Sequence, residues 1–146
     1  MIYLYRGQLD RAESAFSRAV AIDQKALGAE HPFLPAENSA LGLVYAYRHQ
    51  FDKAISQEER VLALCEKRPC EKLPVTMAWF GLARALWESH RDPKRALELA
   101  RRAERELENS DSQFARWLRT EIQRWLADRN SQEMGSTPQS RPLYHR

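Results

Sequence analysis

Residues 36–64, AENSALGLVYAYRHQFDKAISQEERVLAL, decide how the rest of the chain is read. Apolar residues recur three and four positions apart on each side of a break at His49 and Gln50. Leu41, Gly42 and Tyr45 mark one helical stripe; Ala54, Ile55, Val61 and Leu62 mark another. The stretch predicts two short helices, A then B, folded back on each other at a tight turn. Gly42 inside the A helix costs roughly 1 kcal/mol against alanine. Such a cost implies a packing reason: the missing side chain lets a partner helix come close, and Ala54 does the same from the other side. Neither helix can bury its stripe alone, so the pair requires neighbours.

The neighbours are visible as repetition. Ala12, Ala54 and Ala96 follow one another at 42-residue steps and open LDRAESAF, FDKAISQE and PKRALELA. Ala19, Val61 and Ala103 sit at the same offset after them. In the preceding helices Asn38, Leu41, Gly42 and Tyr45 align with Trp79, Leu82, Ala83 and Leu86. Gly7, His49 and His90 occupy equivalent turns.

These units resemble tetratricopeptide repeats, whose signature is W-x2-L-G-x2-Y followed by A-x3-F-x2-A. Trp79-x2-Leu82 and Leu41-Gly42-x2-Tyr45 match the first half, and Ala12-x3-Phe16-x2-Ala19 matches the second. Glu58 and Ala100 stand where the pattern has an aromatic ring. The 42-residue step exceeds the usual period of about 34. With ALGAEHPFL between units, it is similar to the kinesin-light-chain type of repeat. Residues 79–129 also look like C-terminal repeats of some bacterial serine/threonine kinases, although the chain holds no kinase element. The resemblance implies an all-α fold: a short right-handed alpha solenoid of antiparallel helix pairs with a C-terminal capping helix.

In chain order, residues 1–6 read as the end of a first A helix, with Tyr3 where Tyr45 falls in the second unit. Its B helix is expected from Leu9 to Leu27, with Phe16, Ala19 and Val20 on the inner face and Gly28 as its stop. The incomplete first unit predicts an apolar edge open to a partner, to a missing upstream segment or to a second copy. Further repeats are expected near 34–66 and 74–109, joined by the proline-interrupted CEKRPCEKLP. Asp92 before Pro93 reads as an N-cap and an N1 proline. Phe114, Trp117, Leu118, Ile122, Trp125 and Leu126 recur at helical spacing and predict a capping helix over 112–129. A repeat domain over 1–129 is thus followed by a flexible tail, 130–146, with two prolines among small polar residues.

Composition sets bounds on function. The chain has 146 residues and a formal net charge of +3. RDPKRALELARRAERELE interleaves both signs, as a solvated helix face does, so a nucleic-acid stripe is not the expected reading. No run of about 18 apolar residues suggests a membrane span, and no signal-peptide pattern opens the chain. Cys65 and Cys70 do not make a disulfide framework, so a reduced, cytoplasmic setting is expected. The histidines form neither HExxH nor a zinc pattern with the cysteines. Glu58, Glu59, Glu104, Glu106 and Glu108 read as exposed carboxylates, and there is no phosphate loop or nucleophile elbow. No catalytic residue, cofactor or metal is therefore assigned.

In the family resembled, peptides lie along the concave side of the A helices. By register Leu43, Tyr47 and Arg48 face that groove from the second unit, and Phe80, Arg84 and Trp87 from the third. They combine apolar contact area with guanidinium groups that hold carboxylates. The basic-and-asparagine clamp of chaperone-binding members is not matched, since Met77 and Phe80 occupy groove slots. The expected function is a non-catalytic scaffold that binds a protein partner by a peptide or helix in this groove. The alternatives are a terminal repeat segment of a larger bacterial regulator, packed on another domain, and a weak nucleic-acid binder.

Overall fold

The computed structural model describes residues 2–28 and 34–135. Residues 29–33, within the ALGAEHPFL stretch between the first two units, and residues 136–146 of the expected tail lie outside them. Seven helices are described: α1 (Ile2–Tyr5), α2 (Leu9–Leu27), α3 (Leu34–Tyr47), α4 (Phe51–Lys67), α5 (Lys72–Glu88), α6 (Pro93–Glu106) and α7 (Gln113–Gly135). The helices α1, α3 and α5 are the A helices of three units, and α2, α4 and α6 are their B partners. Each hairpin packs on the next, α2 on α3, α3 on α5, and α4 on α5, which makes an alpha solenoid of antiparallel pairs.

Small side chains hold these crossings close. Ala12, Ala54 and Ala96 are fully buried, so the 42-residue step marks the point where each B helix meets its A helix. Leu41, Leu82, Ala83 and Leu86 of the A stripes are buried as well. One cap ends all three A helices. Gln8, Gln50 and Arg91 N–H donate to the carbonyls of Tyr3, Tyr45 and Leu86, five residues back. Gly7, His49 and His90 N–H donate three residues back, to Leu4, Ala46 and Trp87. This pair of bonds is a Schellman motif. Its left-handed position is taken by Gly7 (φ 67°), His49 (φ 60°) and His90 (φ 59°), the three turn residues that the repeat alignment equates. In the third unit Asp92 follows, and its side chain accepts the Arg95 N–H at 3.1 Å with Pro93 in the first turn, as the sequence predicts.

Three expectations change. Cys65 and Cys70 are joined in a disulfide that ties the last turn of α4 to the connection before α5; the pair was expected to stay reduced. They can pair because α4 runs on to Lys67 and the chain then doubles back past Pro69. Glu58, read as exposed, is completely buried, because the B-helix face that carries it is clamped between α3 and α5. The last helix, α7, starts with Ser112 Oγ accepting the Ala115 N–H at 3.1 Å and continues past Arg129 to Gly135, into residues read as tail.

Candidate functional site on the A-helix row

The six residues read as a groove fall on α3, on the turn after it and on α5. Leu43 and Phe80 are 0% exposed and belong to the core beneath the surface. Arg48 turns away toward α2, where it pairs with Asp10 and, at 2.9 Å, with Glu13. Tyr47, Arg84 and Trp87 are half-buried. The Arg84 guanidinium lies 4.1 Å from the centroid of the Tyr47 ring and 5.7 Å from that of Phe80. Stacked between α3 and α5, it contributes cation–π attraction on two rings and an ion pair with Glu88 at 3.3 Å. Tyr47, Phe80, Arg84 and Trp87 are thus brought together, while Arg48 is not.

Helix α7 covers this cluster. Trp125 stands edge-on to Phe80 and Trp87, with centroids 6.0 and 5.9 Å apart. The Tyr47 hydroxyl donates to Glu121 Oε2 at 3.1 Å. Arg129 approaches Glu88 at 4.0 Å and lies 4.7 Å over the Trp125 ring. At the other end Tyr5 meets Phe114 and Trp117 edge-on, at 5.6 and 5.3 Å. Read along α7, its first turns meet α1, Glu121 meets α3, and Trp125 and Arg129 meet α5. The helix therefore crosses the A row. From Phe114 to Arg129 it rises roughly 22 Å at about 1.5 Å per residue, enough to span three helices packed about 8–10 Å apart. Its other flank rests on α6, where Gln123 donates to Glu104 at 3.2 Å, and on the turn after it, where Arg119 donates to the Glu108 carbonyl at 3.3 Å.

Burial sets the electrostatics of the cluster. Burial pushes the Tyr47 phenol far above its ordinary range; Arg84 opposes the shift and Glu121 adds to it. Tyr47 is consequently a fixed neutral donor. Burial, then the nearby Arg84, lowers the Arg129 guanidinium, while Glu88 between the two arginines offsets their repulsion. Among the described residues no group of three or more His, Cys, Asp or Glu could hold a metal ion. None of the helices searched is long and apolar enough to cross a membrane.

Sequence reasoning missed Glu88, Glu121, Trp125 and Arg129. A signal was present for three of them: Glu121, Trp125 and Arg129 follow one another at four-residue steps, so they share a face of one helix. A separate open cavity of about 650 Å³ lies between α4, α5 and α6, lined among others by Trp79, Arg95, Arg102 and the disulfide. No curated protein and no solved structure matches the chain. A tetratricopeptide repeat family model matches residues 1–67, so the repeat read at 36–64 is present from the first hairpin to the end of α4, and match and fold together support a helical protein-interaction scaffold.

Proposed function

We propose that the protein holds a partner peptide or helix against the A row, with residues 1–129 as the binding unit. Tyr47, Arg84 and Trp87 make the contacts and Leu43 and Phe80 pack beneath them, while Arg48, paired with Asp10 and Glu13, takes no part. One observation carries the reading. This face already seats a helix, with an aromatic ring against Phe80 and Trp87 and a carboxylate on the Tyr47 hydroxyl. A partner helix with an acid and a large aromatic four residues apart would compete with α7 for the same seat. Burying Ile122, Trp125 and Leu126 is worth roughly 1.5–3 kcal/mol each, and an incoming helix must replace that before it gains affinity.

A labelled peptide of residues 113–135, titrated into the full chain and followed by anisotropy, tests this. An E121A/W125A chain should bind it more tightly than wild type. A Y47A/R84A/W87A chain with intact helical circular dichroism should not bind it. Equal binding by the E121A/W125A chain and by the same chain carrying Y47A/R84A/W87A in addition, or none by the E121A/W125A chain, removes the site assignment.

A second reading rests on the first hairpin. Ile2, Tyr3, Ile22 and Leu27 are large apolar side chains left 36–62% exposed. Such an edge favours self-association, or docking on another domain if the repeats belong to a larger regulator. Assignment to the longer, kinesin-light-chain-like repeat subtype is also part of the proposal and rests on the 42-residue steps from Ala12 to Ala54 to Ala96 in the sequence. A cytoplasmic location is part of the proposal; there glutathione would keep Cys65 and Cys70 as thiols, whereas an oxidising compartment would keep the disulfide. Thiol labelling in cell lysate distinguishes the two.

A further inference from the structure

Glu58 occupies the position at which the repeat pattern carries an aromatic ring, four residues after Ala54. Its side chain is 0% exposed, and neither carboxyl oxygen has a hydrogen-bond partner among the described residues. Helix α3 meets it with Gly42 and α5 meets it with Gly81; a Cβ at either position would run into the carboxyl group. Three helices therefore close around one acid, and the notch admits it because both neighbours lack side chains.

Among the described residues no charge compensates it. The turns of α3 beside Gly42 carry Asn38, Ser39 and Tyr45. Those of α5 beside Gly81 carry Met77, Ala78 and Arg84, and Arg84 is engaged with Glu88 and the Tyr47 ring. On α4 itself Glu59 is paired with Arg95 at 2.7 Å. Burial is the sole cause that raises the Glu58 carboxyl well above the usual range. A carboxylate in such a site would be unpaired and desolvated, which costs far more than the neutral acid does.

We infer that Glu58 is a proton-held fastener between the second and third units: as the neutral acid it lets α4 close into the Gly42–Gly81 notch, and loss of its proton drives the carboxylate toward water and loosens α3, α4 and α5. The same three helices set the alignment of Tyr47 on α3 with Arg84 on α5, so the proton acts on the A row from behind. Linkage fixes the sign. Between the ordinary glutamate value and the raised folded value, the folded chain holds a proton that the unfolded chain has released. Stability from this group is therefore full at low pH and is lost as pH rises through the folded value.

The test compares urea unfolding of the full wild-type chain with E58Q and E58M from about pH 5 to pH 9. The wild-type midpoint should fall with rising pH relative to both variants, which track each other. Native wild type should also show a protonated-carboxyl infrared band at neutral pH that fades as pH rises further, and E58Q should lack it. Should E58M fail to fold, the E58Q comparison and the wild-type band decide. Parallel midpoint profiles, or no such band in the wild type at neutral pH, overturn the inference.

Discussion

At Gly42 and Gly81 the volume of an added methyl is already taken by the Glu58 carboxyl. Alanine at either position must push that side chain aside or part the helices, so G42A and G81A should each lower stability by about 1–3 kcal/mol, read from the urea midpoint. In an E58A background the obstacle is gone, and the same two changes should turn neutral or favourable, since alanine suits a helix interior better by roughly 1 kcal/mol. Equal losses in both backgrounds would show that the notch is not what constrains these glycines. The sequence discloses that Gly42 needs a close neighbour, but it points to Ala54 across from it, and the structure puts the Glu58 carboxyl there instead. Alignment pairs it with Ala83, whereas the residue across the carboxyl from it is Gly81. Equivalence along a repeat is not contact in space. Glu58 was hidden for another reason: ionisable residues are so rarely buried without a partner that its position in a B helix reads as solvated.

Among the elements, α7 separates what periodicity can and cannot disclose. Its stripe of Phe114, Leu118, Ile122 and Trp125 is plain in the sequence, and all four are buried. Spacing within a helix does not say which surface receives the stripe, because α7 reaches Tyr5 and Tyr47 over separations that leave no local trace. Trp125, 3% exposed between Phe80 and Trp87, should cost about 3–5 kcal/mol on replacement by alanine. Trp117, half-buried against Tyr5 and Phe114, should cost less. Chemical denaturation of W125A and W117A gives the order, and a reversed order would misplace α7 on the A row. The α4–α5 connection makes a second test. Closing so short a loop is worth about 2 kcal/mol of chain entropy. A thiol reductant should lower stability by up to that amount in the wild-type chain and leave C65S/C70S unmoved. Two cysteines five apart are too little for sequence reasoning to pair; the geometry comes from where α4 stops.

Over the whole molecule the solenoid was legible because one hairpin is written three times, and the helix bounds follow its caps and prolines. The A-row surface proposed to bind a partner was legible only as a face. Its register places Tyr47, Arg84 and Trp87 side by side, but that the chain lays its own last helix across them depends on a reversal after α6 that no repeat pattern encodes. The exposed edge of α1 and α2 predicts a mass by light scattering that rises with concentration, and an I22K/L27K chain that stays monomeric. A wild-type mass independent of concentration would leave the edge without a role in self-association.

The crossing of α7 also bears on how large an assembly could become. One flank of that helix rests on α6 and the other on the A row, while Ile2, Tyr3, Ile22 and Leu27 stay exposed on the first hairpin. Should this patch meet its own likeness, the contact is isologous. Two copies joined that way face each other about a twofold axis and use up both patches, so growth halts at a closed pair instead of running on into a fibre.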